Sequence, residues 1–272
     1  MSKHPEYLGD TVSILGIPVN LLSRRQVVEQ AFAWMRKPDD ESSRSGTSGA
    51  TNNSDHICRR IVTLNAEIAQ MALESPELAD SIQQADLIVA DGIGVQLASK
   101  IVGRPVPERI PGVELVELLA REAATMGKGI YLLGAAPGIA AKAAEVLKTR
   151  IPTLMIVGAK DGYFKSQDEE ALLADINRTR PALLLVAMGV PKQELWLSAN
   201  RTNLQVPVVM GVGGSFDVIS GNKPRAPRLL QSIGLEWAFR LAIEPRRLKR
   251  FIFLPKFIIS VFLKRKVKEG SN

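Results

Sequence analysis

The chain has 272 residues, a formal net charge of +7 and a single cysteine. Hydrophobic residues make up 46% of it, enough for a sizeable core, and the lone Cys58 excludes an intramolecular disulfide. The positive charge is concentrated at the carboxyl end, where ten Lys and Arg from residue 240 onward are set against Glu244 and Glu269. This distribution excludes a general nucleic-acid-binding surface and indicates a local basic one.

Short apolar runs alternate with helical patterns through most of the chain. Residues 1–10 are polar and lack the apolar stretch of a signal peptide, so we expect a cytosolic protein. The predicted strands are 60–64, 87–90, 129–133, 154–157, 183–187 and 206–210, and the predicted helices are 24–36, 76–84, 113–126, 137–149, 167–179 and 191–200. Apolar strands between amphipathic helices predict a Rossmann-like α/β fold, in which helices sandwich a parallel sheet.

Two segments depart from this alternation. Residues 37–56 are polar and rich in turn-forming residues, which predicts a disordered insertion. After Gly211 the strands stop, 229–243 reads as helical, and a basic segment begins at Arg246. We therefore predict an α/β domain over 1–223 and a helical, basic C-terminal appendage over 224–272.

The tail combines cations with an apolar run, 251–263, that is too short to span a bilayer. Such a segment favours peripheral attachment to an anionic membrane, here the inner face of the cell membrane. An ordinary core helix with a charged end is the alternative; nucleic acid is disfavoured because aliphatic side chains are poor stacking platforms. Since the predicted strands and helices end before Arg246, we expect the α/β core to fold without this tail.

Polar residues follow two of the predicted strands. Asp91 comes directly after the apolar run 87–90, where a carboxylate can serve as a general base; the alternative is an N-cap for the next helix. Thr63 and Asn65 end an earlier strand and offer the neutral hydrogen-bonding groups that suit sugar hydroxyls. A turn-forming role is the alternative for Asn65.

Glycine-rich turns follow two later strands. Gly189 precedes a predicted helix whose amino end could face a nucleotide diphosphate, and Gln193 could reach a uracil, ribose or sugar hydroxyl. Gly213 and Asp217 belong to the turn 211–217, which lacks both the dinucleotide fingerprint and the P-loop lysine. This disfavours a dehydrogenase or an NTPase. The turn 134–138 is also compatible with a phosphate.

The sequence predicts neither a metal ion nor a cofactor. Only His4 and His56 are present, and no Asp-x-Asp pattern occurs. Helix amino ends and arginines must then offset the charge of a diphosphate. The candidate arginines are Arg109, Arg225, Arg228, Arg240, Arg247 and Arg250, and for each a solvated or structural role is the alternative.

Four sequence blocks together resemble the WecG/TagA/CpsF glycosyltransferase family. They are 63–67, 90–94 with 109–112, 188–194, and 217–227 followed by Glu236-Trp237 and Arg240. The resemblance implies a metal-independent, inverting enzyme in which Asp91 deprotonates the acceptor and the tail arginines approach the donor diphosphate. It also implies a UDP-sugar donor and a polyprenyl-diphosphate-linked sugar acceptor, as in teichoic acid linkage-unit synthesis.

The donor sugar is left open by these blocks. N-acetylmannosamine is the first choice, with glucose or N-acetylmannosaminuronic acid as alternatives. A noncatalytic, nucleotide-binding membrane adaptor is a rival from another class, which the aspartate at position 91 disfavours. The oligomeric state is also open, a homo-oligomer included.

Overall fold

The computed structural model describes residues 9–36, 58–232, 236–243 and 253–269. Its strands are β1 Thr11–Ile14, β2 Ile17–Asn20, β3 Arg59–Leu64, β4 Leu87–Ala90, β5 Gly129–Gly134, β6 Met155–Lys160, β7 Leu183–Ala187 and β8 Val208–Gly211. Its α-helices are α1 Arg24–Arg36, α2 Ala66–Glu74, α3 Pro76–Gln83, α4 Ile93–Ile101, α5 Gly112–Thr125, α6 Ile139–Arg150, α7 Glu169–Thr179, α8 Lys192–Ala199, α9 Ser215–Ile219, α10 Arg228–Ser232, α11 Glu236–Ile243 and α12 Phe253–Glu269. The predicted insertion, 37–56, lies outside the described residues.

Six of these strands form one parallel sheet in the order β4-β3-β8-β7-β5-β6. Helices cover both faces, which confirms the predicted Rossmann-like α/β fold. One apolar cluster joins the sheet to α1, α5, α6 and α9, and two others join it to α2, α3, α4, α7 and α8. Because the strands are parallel, all of them end at the same edge, here called the carboxyl edge.

A two-stranded hairpin at the amino end was not predicted. Strands β1 and β2 pair antiparallel, and Leu15 and Gly16 between them both have positive φ, 54° and 95°. The Asn20 Oδ1 atom accepts a hydrogen bond from the Ile88 amide at 2.8 Å, which ties the hairpin to β4.

The carboxyl-terminal helix α12 packs onto α2 and α4. Phe257 and Val261 are 0% and 2% exposed, within the same apolar cluster as those helices. Gly94 allows this approach, because a Cβ atom there would lie 2.8 Å from Leu254 Cδ1. The apolar core therefore extends beyond residue 246, contrary to our expectation, because side chains four residues apart on α12 face the domain. Among the described residues, no helix has the length and apolarity to cross a membrane.

Candidate active site

Asp91 and Asn65 lie next to each other at the carboxyl edge. The register pairs Leu64 with Ala90, and the Asp91 amide donates to the Leu64 carbonyl oxygen at 2.7 Å. Asn65 is the N-cap of α2, since its Oδ1 accepts a hydrogen bond from the Ile68 amide at 2.9 Å. This cap gives Asn65 a structural role at the end of β3, and its role towards a sugar hydroxyl stays a prediction.

Asp91 is not the N-cap residue of α4. Helix α4 begins at Ile93 with Gly92 at the N-cap, and glycine has no side chain to cap it. The N-cap alternative for Asp91 was therefore wrong, because the glycine with φ 91° carries the chain through the turn between them. Asp91 is half-buried and directly follows β4, so the end of the strand positions its backbone.

The first residue of α5 brings Thr63 and Asp91 together. A Cβ atom at Gly112 would lie 3.3 Å from Thr63 Oγ1 and 3.6 Å from Asp91 Oδ2. The preceding loop is held against β4 because the Ile110 amide donates to the Ala90 carbonyl oxygen at 2.8 Å. Glycine at position 112 leaves both polar side chains room at the carboxyl edge, where Thr63 is 7% exposed.

Both candidate arginines whose side chains are described make ion pairs within the protein. Arg109 donates to the Gln231 carbonyl oxygen at 3.2 Å and lies 3.7 Å from Glu236 Oε2, which links its loop to α10 and α11. Arg225 pairs with Glu114 of α5 at 2.5 Å. These contacts give each arginine the structural role that the sequence left open, and a role towards a diphosphate stays a prediction.

The other predicted arginines follow residue 227. Two of them are part of α10 and α11, and their side chains are not among those described: Arg228 and Arg240. Arg247 and Arg250 lie outside the described residues, as do His4 and His56. In the described part of the chain, no group of three or more His, Cys, Asp or Glu could hold a metal ion.

Asp217 fastens the loop after α9. Its Oδ1 accepts a hydrogen bond from the Asn222 side-chain amide at 2.8 Å, and its carbonyl oxygen accepts one from the Lys223 amide at 2.9 Å. After the neighbouring strand β7, Gly189 turns the chain with φ 74°. The Gln193 amide donates to the Gly189 carbonyl oxygen at 2.8 Å, so this turn closes on its own helix.

Gln193 lies in the interior rather than at the surface, with 2% of it exposed. Its Oε1 accepts a hydrogen bond from the Gly213 amide at 2.9 Å, and its Nε2 donates to Glu194 Oε1 at 3.0 Å. Burial raises the pKa of the Glu194 carboxyl, and the positive charge of Arg60 opposes that rise. From the sequence we did not identify Arg60 as part of this site. The available signal was a charged residue within an otherwise apolar strand.

A cavity of about 380 Å³ opens beside the ends of β5 and β6. Its lining residues come from the amino end of α6, the end of β6 and the segment after β6: Gly138, Ala140, Ala141, Ala159, Lys160, Asp161, Tyr163 and Phe164. The Gly162 amide donates to the Ala135 carbonyl oxygen at 3.0 Å, so the 161–164 segment approaches the 134–138 turn. From the sequence we identified only that turn. The signal that we missed was the pair of aromatic residues, Tyr163 and Phe164, that follows a strand.

These features form a row along the carboxyl edge. The strand order places the cavity at β6 and β5, then Gly189 after β7, Gly213 after β8, Thr63 in β3 and Asp91 after β4. At roughly 4.8 Å per strand, the four spacings from β5 to β4 span about 19 Å. Ligands of open parallel sheets bind beyond this edge.

This chain is similar to known proteins over most of its length. The sequence model of the glycosyl transferase WecG/TagA/CpsF family matches residues 12–271. A Bacillus spizizenii protein is 38% identical over 201 residues, 74% of this chain and 77% of its own length. A Staphylococcus aureus protein is 35% identical over 260 residues, 95% of each chain. Both relatives are named N-acetylglucosaminyldiphosphoundecaprenol N-acetyl-beta-D-mannosaminyltransferase.

Proposed function

The chain belongs to the WecG/TagA/CpsF family of glycosyltransferases, and we propose that it transfers N-acetylmannosamine from a UDP-sugar to a polyprenyl-diphosphate-linked N-acetylglucosamine. The transferred sugar and the acceptor follow the names of the two relatives. The product would serve cell-wall polysaccharide assembly of the teichoic acid type.

The observation that carries this proposal is the carboxylate of Asp91 beside Thr63, beneath the first residue of α5. Asp91 takes the proton from the acceptor hydroxyl, and the oxygen of that hydroxyl attacks the anomeric carbon. The bond from that carbon to the diphosphate oxygen breaks, and UDP leaves with the electron pair. Attack from the face opposite UDP inverts the anomeric centre, so one base suffices.

The row of features along the carboxyl edge fits the parts of an extended sugar nucleotide. We place the nucleoside in the cavity, where Tyr163 offers a ring that is 75% exposed. The diphosphate lies over the turns at Gly189 and Gly213, and the sugar reaches Thr63 and Asn65. The amino end of α6 opens on the same cavity and favours negative charge.

Cations near this path would offset the diphosphate charge. Lys192 donates to the Gly162 carbonyl oxygen at 3.1 Å and lies 5.2 Å from the Phe164 ring centroid, beside the cavity. Three further residues lie in or contact the segments that follow β8: Arg109, Arg225 and Asp217. We propose that they shape the side of the site at which the lipid-linked acceptor binds. The tail arginines Arg240, Arg247 and Arg250 would offset the remaining negative charge on the leaving UDP.

Peripheral membrane attachment completes the proposal. Ile259, Phe262 and Leu263 of α12 are 58%, 48% and 60% exposed, on a helix that also carries Lys264 and Arg265. Apolar side chains beside cations can enter the headgroup boundary of an anionic leaflet. The tail would thereby hold the enzyme where a lipid-linked acceptor resides.

The test is to incubate the protein with a panel of UDP-sugars and a short-chain lipid-diphosphate N-acetylglucosamine, and to measure UDP release and the glycosylated product. We expect UDP-N-acetylmannosamine to react fastest. Preference for UDP-glucose or UDP-N-acetylmannosaminuronic acid would keep the mechanism and change the donor. Tight UDP binding without release from any donor would indicate the adaptor function instead.

A further inference from the structure

A buried polar network lies beneath the turn formed by residues 211–214, called here the 211–214 turn. It begins at the Gly213 amide, which donates to Gln193 Oε1 at 2.9 Å. The Gln193 Nε2 atom in turn donates to Glu194 Oε1 at 3.0 Å. Gln193 and Glu194 are 2% and 1% exposed, so both hydrogen bonds are shielded from solvent. Such shielding strengthens them relative to surface contacts.

The strand beneath the turn is shaped to admit this network. A Cβ atom at Gly211 would lie 2.5 Å from Glu194 Oε1 and 2.6 Å from Gln193 Nε2. Real side chains do not approach so closely, so a larger residue at position 211 would displace both groups. The glycine therefore makes space for two polar side chains in a layer that is otherwise apolar.

Arg60 supports the network from the neighbouring strand β3. It is 1% exposed and donates to the Ser81 carbonyl oxygen and, at 3.4 Å, to that of Glu194. The Ser81 hydroxyl also donates to the Glu194 carbonyl oxygen at 3.0 Å. Burying an arginine and a carboxylate in one layer is costly, which makes a purely packing role a poor explanation for them.

We propose that Gln193, held by Glu194 and Arg60, is a positioning residue that fixes the 211–214 turn for donor binding. This inference rests on the proposed function, and it assigns Gln193 a role through Gly213 rather than a contact with the nucleotide. The turn follows β8, between the Gly189 turn and Thr63, where the donor diphosphate is placed. Holding that backbone in advance removes an ordering cost from donor binding.

The first test replaces Gln193 with methionine, which keeps the length of the side chain and removes both hydrogen bonds. The matched control is Leu197→Val, on the same helix, which changes a buried side chain that belongs neither to the network nor to the lining of the cavity. Hydrogen–deuterium exchange of a peptide covering residues 208–220 reports on the turn, and titration with UDP reports on binding. Both measurements are made on the full-length protein.

We expect Gln193→Met to accelerate exchange in the 208–220 peptide and to raise the donor KM and the UDP dissociation constant about five- to tenfold, the size of one lost hydrogen bond. The kcat value and the acceptor KM should change less than twofold. Leu197→Val should alter none of these quantities. A uniform loss of kcat in both variants would indicate a general packing defect and would overturn the proposal.

Gly211→Ala is the second variant, because it pushes Gln193 and Glu194 away while it keeps every polar group. We expect the same faster exchange and the same rise in donor KM. Weaker UDP binding with unchanged exchange in Gln193→Met would show a direct contact with the nucleotide and overturn the proposal. Faster exchange with unchanged UDP affinity would do the same, since the turn would then have no part in binding.

The failure of the proposed function is recognised separately, in the wild-type protein. If wild-type protein bound neither UDP nor any UDP-sugar of the panel, the donor assignment would fail, and the positioning role would fail with it. The exchange measurement needs no ligand, so it would still decide whether Gln193 holds the turn.

Discussion

The neighbouring residues Asp91 and Asn65 show how two strand ends can serve different purposes. Asn65 uses its side chain to cap α2, whereas a glycine takes the capping position before α4. Asp91 therefore stands one residue before the N-cap of α4, directly after β4, where the strand end positions its backbone. A base that must accept a proton from a substrate has to be positioned by the fold in this way.

Asp91→Asn is expected to abolish most transfer while it leaves donor binding nearly unchanged. The amide keeps the shape of the carboxylate but cannot accept the acceptor proton, and losing a general base costs about 10²–10⁴-fold in rate. UDP release measures turnover, and titration with UDP measures binding. Asp168→Asn, in the 3₁₀ turn Ser166–Asp168, controls for the loss of one negative charge. Near-normal turnover of the Asp91 variant would remove this residue from the mechanism.

Activity is expected to survive excess EDTA. No acidic and histidine cluster suited to a metal occurs among the described residues, and the only two histidines lie outside them. UDP release is measured with EDTA and with an EDTA–Mg²⁺ mixture of equal ionic strength. If EDTA abolished release and Mg²⁺ or Mn²⁺ restored it, acidic ligands would have been overlooked.

The sequence could place Asp91 but not the surroundings of Gln193. An apolar run followed by Asp91-Gly92 is enough to predict a carboxylate at the end of a parallel strand. Gln193 accepts a hydrogen bond from Gly213, 20 residues later, and its neighbour Glu194 accepts one from Arg60, 134 residues earlier; only the sheet order brings these residues together. Spacing along the chain carries no such information, so Gln193 was interpreted as a contact to a uracil, ribose or sugar hydroxyl.

At the scale of elements, long apolar patterns were easier to predict than short ones. Helix α1 matches its predicted bounds, whereas α2 went unpredicted because its first residues were interpreted only as a binding motif, and α4 entered only as the helix that Asp91 would cap. The strands of the β1–β2 hairpin have four residues each, which is too short for a clear alternation. Its turn residue Leu15 has a positive φ, and a leucine in the sequence gives no indication of that backbone conformation.

Phe257→Ala is expected to destabilise the protein by about 3–5 kcal/mol, the usual cost of emptying a fully buried aromatic site. Urea unfolding measures the change. The matched control is Phe262→Ala on the same helix, at a side chain that is 48% exposed, and it should stay within about 0.5 kcal/mol of the wild type. Equal effects of the two substitutions would mean that α12 does not pack as described.

At the scale of the whole molecule, the tail both contributes to the apolar core and carries the net positive charge of the chain. The segment from residue 240 onward carries a net charge of +8, so the rest of the chain is close to neutral. Within the described part of the tail, three cations contact the domain: Lys256 pairs with Glu74, Lys264 donates to the Leu15 carbonyl oxygen, and Arg265 donates to that of Ile101. Deleting the tail would therefore expose apolar core as well as remove charge.

Substitution of the cations separates the two effects. Four cations lie in the sequence between α11 and α12: Arg246, Arg247, Lys249 and Arg250. Changing all four to glutamine leaves the core residues Phe257 and Val261 unchanged. At about 1 kcal/mol for each cation near an anionic surface, the partition onto phosphatidylserine vesicles should fall roughly 10³-fold at low salt. High salt should weaken wild-type binding in the same direction, because ions screen exposed charges.

A second quadruple variant provides the matched control. It changes four exposed cations on α1, α5 and α6 to glutamine: Arg25, Arg121, Lys148 and Arg150. The net charge falls by four, as it does in the tail variant. Vesicle flotation at low salt should show nearly wild-type attachment for this control and loss for the tail variant. Transfer to a vesicle-borne acceptor should fall in parallel. If both variants floated equally, the membrane would respond to total charge, and the tail would not be the attachment site.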